Sequence, residues 1–128
     1  MTSKVALTDV CFRCKLPFQK NDSASIGTGR GQYSEGREFC YGCCARMDEE
    51  WMDEKGKILL YYTIRDGKET VSNWPGTLIF RVLESRTSHH NIGGTRYDLW
   101  FNDRHGRRWH GIQIGRMNEV ARCKRLKA

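Results

Sequence analysis

The sequence predicts an α+β protein: a small cysteine-rich module, residues 1–56, followed by a compact antiparallel β-sheet or barrel, residues 57–128. Three observations predict this division. Two short cysteine pairs lie in the first third, a helical pattern starts directly after the second pair, and short apolar segments follow, with turn signals about every 8 to 12 residues. At 128 residues the chain is long enough for one domain or two very small ones.

The first element is the pair Cys11 and Cys14, which is matched by the pair Cys40 and Cys43. A two-residue gap lets both thiolates of a pair point to one spot, and two pairs supply the four soft ligands of a tetrahedral Zn²⁺. Such a site has no open position for water, so we predict one structural zinc ion rather than a catalytic one. A disulfide framework is the alternative for six cysteines.

The chain's N-terminus lacks the apolar segment of a secretory signal, and no apolar run is long enough to span a membrane. We therefore expect a cytoplasmic, reducing location, where thiols bind metal more often than they form disulfides.

The second element is a helix that begins after Cys40 and ends near Gly56. Cys44, Met47 and Trp51 recur at three and four residues and predict its buried stripe, which makes Cys44 an apolar core residue rather than a ligand. The acidic residues on its other faces, which are typical of a solvated surface, are Asp48, Glu49, Glu50, Asp53 and Glu54.

A cysteine pair at a helix N-terminus distinguishes one zinc architecture from another, and residues 10–56 resemble the treble-clef zinc proteins, including the LIM- and FYVE-like group. The likeness rests on Cys-Phe-Arg-Cys-Lys-Leu-Pro-Phe at 11–18, the aromatic residues Tyr33 and Phe39, and Cys-Tyr-Gly-Cys at 40–43. That group implies four structural zinc ligands, with Phe18 packed beneath the first pair. The segment has one site, no histidine ligand and no basic lipid-binding motif, and the group serves several functions, so it implies a fold and not an activity.

The remaining elements are predicted strands at residues 58–64, 71–74, 77–83, 96–101, 108–114 and 120–126. A long polar loop is expected around His89 and His90, and Cys123 is expected to be a half-buried strand residue. The segments Arg-Tyr-Asp-Leu-Trp-Phe at 96–101 and Arg-Trp-His-Gly-Ile-Gln-Ile-Gly at 108–115 loosely resemble short uncharacterised proteins of phages and plasmids. That resemblance implies no activity.

Charge is distributed unevenly along the chain. Residues 1–80 contain 11 Lys and Arg and 11 Asp and Glu, whereas residues 81–128 contain 11 and 4, so the whole net charge of +7 lies in the second segment. This asymmetry indicates a polyanionic partner, because guanidinium groups hold phosphates while aromatic rings stack on bases. The alternative is a solvated basic surface with Trp100 and Trp109 in the core.

The leading functional prediction is therefore a zinc-stabilised, non-catalytic nucleic-acid-binding protein, with DNA or RNA as partner and a regulatory role as one expectation. The predicted contact residues are Arg96, Arg104, Arg107, Arg108, Trp109, Arg122, Lys124, Arg125, Lys127, His89 and His90. A protein-binding adaptor or inhibitor, of phage origin and acting on a host protein, is the alternative. A metal-dependent nuclease that uses the His-His-Asn run is the third reading. Neither a membrane nor a small-molecule substrate is expected as a partner.

Overall fold

The computed structural model describes residues 10–18, 38–74 and 76–127. One helix precedes six strands. Their bounds are α1 Tyr41–Lys55, β1 Lys57–Arg65, β2 Lys68–Ser72, β3 Ile79–His90, β4 Gly94–Asn102, β5 Arg108–Ile114 and β6 Val120–Arg125. Along these ranges no helix is long and apolar enough to cross a membrane.

The six strands form a closed barrel in which each strand pairs with its neighbours in chain order and β6 pairs back to β1, every pair antiparallel. Alternation along each strand sends one set of side chains inward. In β4, Leu99 and Phe101 are fully buried, and Trp109 of β5 packs beside Phe101 with parallel rings 6.1 Å apart. These side chains and Leu60 and Tyr62 of β1 belong to the main apolar core.

The predicted fold class, α+β with a small treble-clef module followed by a compact antiparallel β-sheet or barrel lobe, is wrong. The fold is dominated by the closed antiparallel barrel and has a single helix within the described ranges. Met52 is buried in the barrel core, and the amide of Asn73, after β2, donates to the carboxylate of Asp48 at 2.8 Å. The helix therefore closes one end of the barrel. Tyr33, one of the residues that carries the treble-clef likeness, lies outside the described ranges.

The buried face of α1 also differs from the predicted stripe. Cys44 is buried as expected, but Trp51 is 43% exposed, and the buried positions four residues apart are Cys44, Asp48 and Met52. Asp48 reads as a surface residue in the sequence because its carboxyl partner, Asn73, is 25 residues away. Periodicity identifies the helix and places Cys44 and Met47 correctly, but it is wrong for Trp51 and misses the buried Asp48 and Met52.

Strand β3 has two features that differ from the expected pattern, a bulge and a long C-terminal extension that contains His89 and His90. A bulge between Val82 and Glu84 shifts the register of β3 against β4. Beyond it, β3 continues through His90, so the expected long loop around the histidines is in fact strand, paired with β4 up to the turn at residues 91–93. The polar run before His90 lacks apolar alternation because this end of β3 is largely exposed.

Candidate functional site

The first candidate site is the cysteine cluster, which two local structures bring together. Around Cys11 the chain makes a tight turn in which the carbonyl of Cys11 accepts from the N–H of Lys15 at 2.9 Å, and Lys15 has a left-handed φ of 65°. On the other side, Cys40 is the N-cap of α1, and its sulfur accepts from the N–H of Cys43 at 3.4 Å. Each pair is thus presented by a bend in the backbone.

The sulfur atoms of Cys11, Cys14, Cys40 and Cys43 all lie within 4.8 Å of one another. In a tetrahedral site with Zn–S bonds of about 2.3 Å, sulfur atoms are about 3.8 Å apart. The Cys14 and Cys40 sulfurs are 3.9 Å apart, close to that value and far from the length of a disulfide bond, about 2.05 Å. The four cysteines form a cluster that can hold a metal ion, and all are free thiols.

The electrostatics of the cluster suit a cation. Burial raises the pKa of Cys11, but N–H donors from Cys14, Cys40 and Arg13 outweigh burial and lower it to about 6. Burial, together with the neighbouring sulfurs, raises the pKa of Cys40 and of Cys43. One thiolate forms readily and the next ones are opposed, so a bound dication would supply the charge that stabilises the remaining thiolates.

The residues around the cluster are apolar. Cys44 is fully buried with Phe39, and Phe18 and Met47 pack against them. Cys44 is not one of the four clustered sulfurs, in agreement with its predicted role as a core residue. Across the cluster, Arg13 forms a bidentate ion pair with Glu50 of α1.

The second candidate site is a groove of about 770 Å³ where the end of α1 meets the β4–β5 turn and the end of β6. The residues that line this groove, called the basic groove below, are Lys55, Gly56, His105, Gly106, Arg107, Arg108, Arg125, Leu126 and Lys127. None of these described lining residues is acidic. Four of the predicted contact residues, Arg107, Arg108, Arg125 and Lys127, therefore converge on one depression.

Asp103 organises the β4–β5 turn that forms one wall of the basic groove. One carboxylate oxygen accepts the backbone N–H groups of His105 and Arg107, each at 2.9 Å, and the other accepts Arg107 Nε at 2.7 Å and Trp109 Nε1 at 2.9 Å. Burial raises the pKa of Asp103, but the Trp109 and Arg107 donors outweigh it and hold the pKa below its usual value. The carboxylate is charged and fixes the turn.

Several cations of the basic groove have internal partners. Arg107 also pairs with Asp53 of α1, and Arg125 donates to the carbonyls of Met52 and Asp53 at 3.3 and 3.4 Å. Arg108 lies 3.5 Å from Glu84 at its nearest oxygen. Within the described ranges Lys127 forms no ion pair, so it is the least committed charge of the groove.

The remaining predicted cations lie outside the basic groove. Arg104 pairs with Glu49 at 2.6 Å, and Arg96 forms a bidentate pair with Asp98 on the outer face of β4. Arg122 and Lys124 point outward from β6, where Lys124 is paired across the strands with Lys57 on one side and His110 on the other.

Three of the predicted contact residues are poorly placed for their predicted roles. Trp109 is 0% exposed and its N–H is held by Asp103, so its ring stacks in the core and not on a base. His89 and His90 lie at the far end of β3, and His90 Nδ1 is within 2.6 Å of the Ile92 carbonyl. Among the described residues the four cysteines alone are grouped to hold a metal, and neither histidine joins such a group.

Of the two tryptophans in the β4–β5 hairpin, the one on the outer face of the barrel is Trp100, which the predicted contact set omits. Its ring stacks on His110 of β5 at 4.8 Å between centroids, and the Arg86 guanidinium lies 5.1 Å from it. Strand alternation could have distinguished the two tryptophans. Trp100 shares its face of β4 with the polar Arg96 and Asp98, whereas Trp109 shares its face of β5 with Gly111 and Gln113.

Comparisons of the chain with protein families, with curated proteins and with solved structures find no match. Neither the treble-clef nor the phage resemblance has support from them.

Proposed function

We propose that this protein binds nucleic acid without catalysing a reaction on it. The observation that carries the proposal is the basic groove, where Lys55, Arg107, Arg108, Arg125 and Lys127 surround one concave surface with no acidic side chain among the described lining residues. Phosphate groups are the abundant anions that such a groove fits, because several positive charges in a concavity raise the local concentration of a polyanion.

The internal ion pairs limit the strength of this attraction but do not cancel it. Asp53 and Asp103 offset Arg107, and Glu54, 3.3 Å from Lys55, is exposed and weakly bound. Arg108 and Lys127 retain most of their charge for a ligand. Roughly two to four phosphate contacts from this groove would give modest affinity with a clear dependence on salt.

The test is a titration of the protein with single-stranded and duplex DNA and RNA at several salt concentrations. The plot of log K against log salt has a slope of about −0.7 per phosphate contact for single strands and about −0.9 for duplex. Replacing both Arg108 and Lys127 with Ala should reduce the magnitude of that slope by about 1.4 for single strands and about 1.8 for duplex.

The matched control replaces Lys68, the first residue of β2, and Arg116, in the β5–β6 connection, with Ala, which removes the same charge from positions outside the groove. It should leave the slope within about 0.5 of the wild-type value. Absence of binding at about 50 mM salt, or an equal loss in both double variants, would contradict the proposal.

We also propose that Cys11, Cys14, Cys40 and Cys43 hold one structural zinc ion. The support is the four-sulfur cluster with spacings near those of a tetrahedral site, and the burial of Cys11 and Cys43. Four protein ligands leave no position for substrate, so the ion would order the turn at Cys11 and the start of α1. Metal analysis should find about one zinc per chain, and a content near zero in protein that is folded and reduced would refute it.

A protein-binding adaptor is the second candidate, and one row of residues favours it. Val120, Tyr61 and Ile79 point outward from β6, β1 and β3 and are 37% to 45% exposed, with the small Ser72 of β2 between Tyr61 and Ile79 in register. Such an apolar row is typical of a contact surface. Replacing Tyr61 and Ile79 with Ser would abolish capture of a protein partner and leave nucleic-acid binding unchanged. No observation among the described residues favours the nuclease reading.

A further inference from the structure

The outer face of β4 and β5 contains an aromatic stack that is not part of the hydrophobic core. Trp100 and His110 are directly opposite each other in the strand register, with nearly parallel rings, 19° between planes. Arg86 of β3, the strand that flanks β4 on the side away from β5, brings its guanidinium to 5.1 Å from the centre of the indole; its side chain is 71% exposed and pairs with Glu84 at 2.9 Å. The indole thus stacks on the imidazole from β5 and meets an exposed guanidinium from β3.

His110 is held in place by a carboxylate. Asp98 accepts from His110 Nε2 at 2.8 Å and from both nitrogens of the Arg96 fork at 3.0 Å. The imidazole therefore has a defined orientation, and the indole of Trp100 stacks on it. A preorganised aromatic surface loses little freedom when a flat ligand stacks on it.

The stack is continuous with the basic groove. Arg108, which lines the groove, lies two residues before His110 on the same face of β5, and it faces Asn102, two residues after Trp100, in the register. On the next strand Lys124 is opposite His110, and the N–H of Leu126 donates to the carbonyl of Arg108 at 2.8 Å. A chain whose phosphates lie in the groove would place the next nucleotide against Trp100.

We propose that Trp100 is a stacking platform for an unpaired base, so that the ligand of this protein is single-stranded nucleic acid. This inference rests on the proposed nucleic-acid-binding function. The base replaces the Arg86 guanidinium beside the indole, and Arg86 moves to a phosphate. A duplex cannot make this contact because its bases are already stacked on each other, whereas every unpaired base offers a free ring face.

A purely structural cross-strand pair would also stack Trp100 on His110. The two roles differ in what happens to binding. If the ring is only structural, its loss weakens every ligand equally through the fold. If it is a platform, its loss weakens the single strand selectively and phenylalanine restores part of the affinity.

The experiment compares Trp100→Ala, Trp100→Phe and, as a matched control, Trp74→Ala, which removes a tryptophan that is 41% exposed outside the groove. Each is titrated with a fluorescent single-stranded oligonucleotide, with the duplex of the same sequence and with polyglutamate. Trp100→Ala should lose about 5- to 100-fold in single-strand affinity and change duplex affinity less than about 2-fold. Trp100→Phe should recover at least about half of the loss on a logarithmic scale.

A second measurement avoids any variant that folds poorly. Tryptophan fluorescence of the wild-type protein should be quenched by the single strand, and the quenching should be absent in the folded Trp100→Phe protein. Equal losses on single strand and duplex, or unchanged quenching in Trp100→Phe, would overturn the platform while leaving the nucleic-acid function intact. Absence of binding to either nucleic acid, or equal binding of polyglutamate, would overturn both.

Discussion

Replacing Asp103 with asparagine tests whether its carboxylate holds the β4–β5 turn together. Its side chain is 3% exposed and accepts four hydrogen bonds, two on each oxygen. Asparagine keeps one acceptor oxygen and presents an amide where the second was. Whichever way the amide is turned, two donors face an N–H₂ group.

The magnitude follows from which donors are lost. If the amide replaces the oxygen nearest Trp109, the buried indole N–H is left without an acceptor, which costs about 1–3 kcal/mol. Arg107 Nε loses a partner too, but the guanidinium is 32% exposed and retains Asp53, so this loss is worth about 0–1 kcal/mol. Asp103→Asn should therefore lower the free energy of unfolding by about 1–4 kcal/mol at neutral pH.

The stability difference between wild type and Asp103→Asn should depend on pH. Because the folded-state pKa of Asp103 lies below the ordinary value of 3.8, its contribution to stability is present above that value and is lost as the pH falls through the folded-state pKa. The difference between wild type and Asp103→Asn should be full at about pH 7 and should shrink at about pH 3. Urea unfolding of both proteins at each pH measures it, and any acid-induced release of metal affects the two proteins alike.

The control is Glu84→Gln, which removes one charge from an exposed ion pair. It should cost less than about 1 kcal/mol and show no comparable change with pH. A loss below about 1 kcal/mol for Asp103→Asn, or a difference from wild type that stays constant into acid, would refute the reasoning that this carboxylate is a charged, buried acceptor.

Three further predictions follow from close contacts and buried groups. Gly111→Ala should cost about 1–3 kcal/mol, since its new Cβ would lie 2.7 Å from the Cys123 sulfur, and adding Cys123→Ala should restore most of the loss; additive losses in urea unfolding would contradict this. Cys40→Ser should reduce metal content where Cys44→Ser does not, as measured by metal analysis of the folded proteins, and equal content would contradict it. Met52→Ala should cost about 2–5 kcal/mol in thermal or urea unfolding because α1 closes the barrel through this side chain; a loss below about 1 kcal/mol would contradict that role.

Local sequence patterns carry most of the secondary structure. Alternation in residues 97–101 correctly predicts that Tyr97, Leu99 and Phe101 share a face, and in the structure this face is turned to the core. The cysteine spacing likewise predicts the cluster, because two-residue gaps constrain the sulfurs whatever the rest of the chain does. Strand alternation and cysteine spacing are local patterns, so they can be interpreted without knowledge of the tertiary fold.

Most features that the sequence did not predict depend on contacts between residues far apart in the chain. Ile58 opposes Cys123 where the barrel closes, and nothing in either strand specifies that partner. Asp48 is buried because the amide of Asn73, 25 residues away, donates a hydrogen bond to its carboxylate. Trp109 is the exception, since its indole N–H donates to Asp103, which is six residues before it. Charge alone could not separate the cations of the groove from Arg104 and Arg96, which lie outside it.

The helix α1 is held by different chemistry at its two ends. Its first turn contains Cys40 and Cys43 of the sulfur cluster, and about 15 Å further along Met52 is buried in the barrel, followed by Lys55 and Gly56 at the basic groove. The cluster that can hold a metal ion and the basic groove are therefore connected by one continuous helix. By thermodynamic linkage, any effect of a ligand in the groove on the affinity of the cysteine cluster for a metal ion would be matched by an equal effect of the ion on the affinity for that ligand.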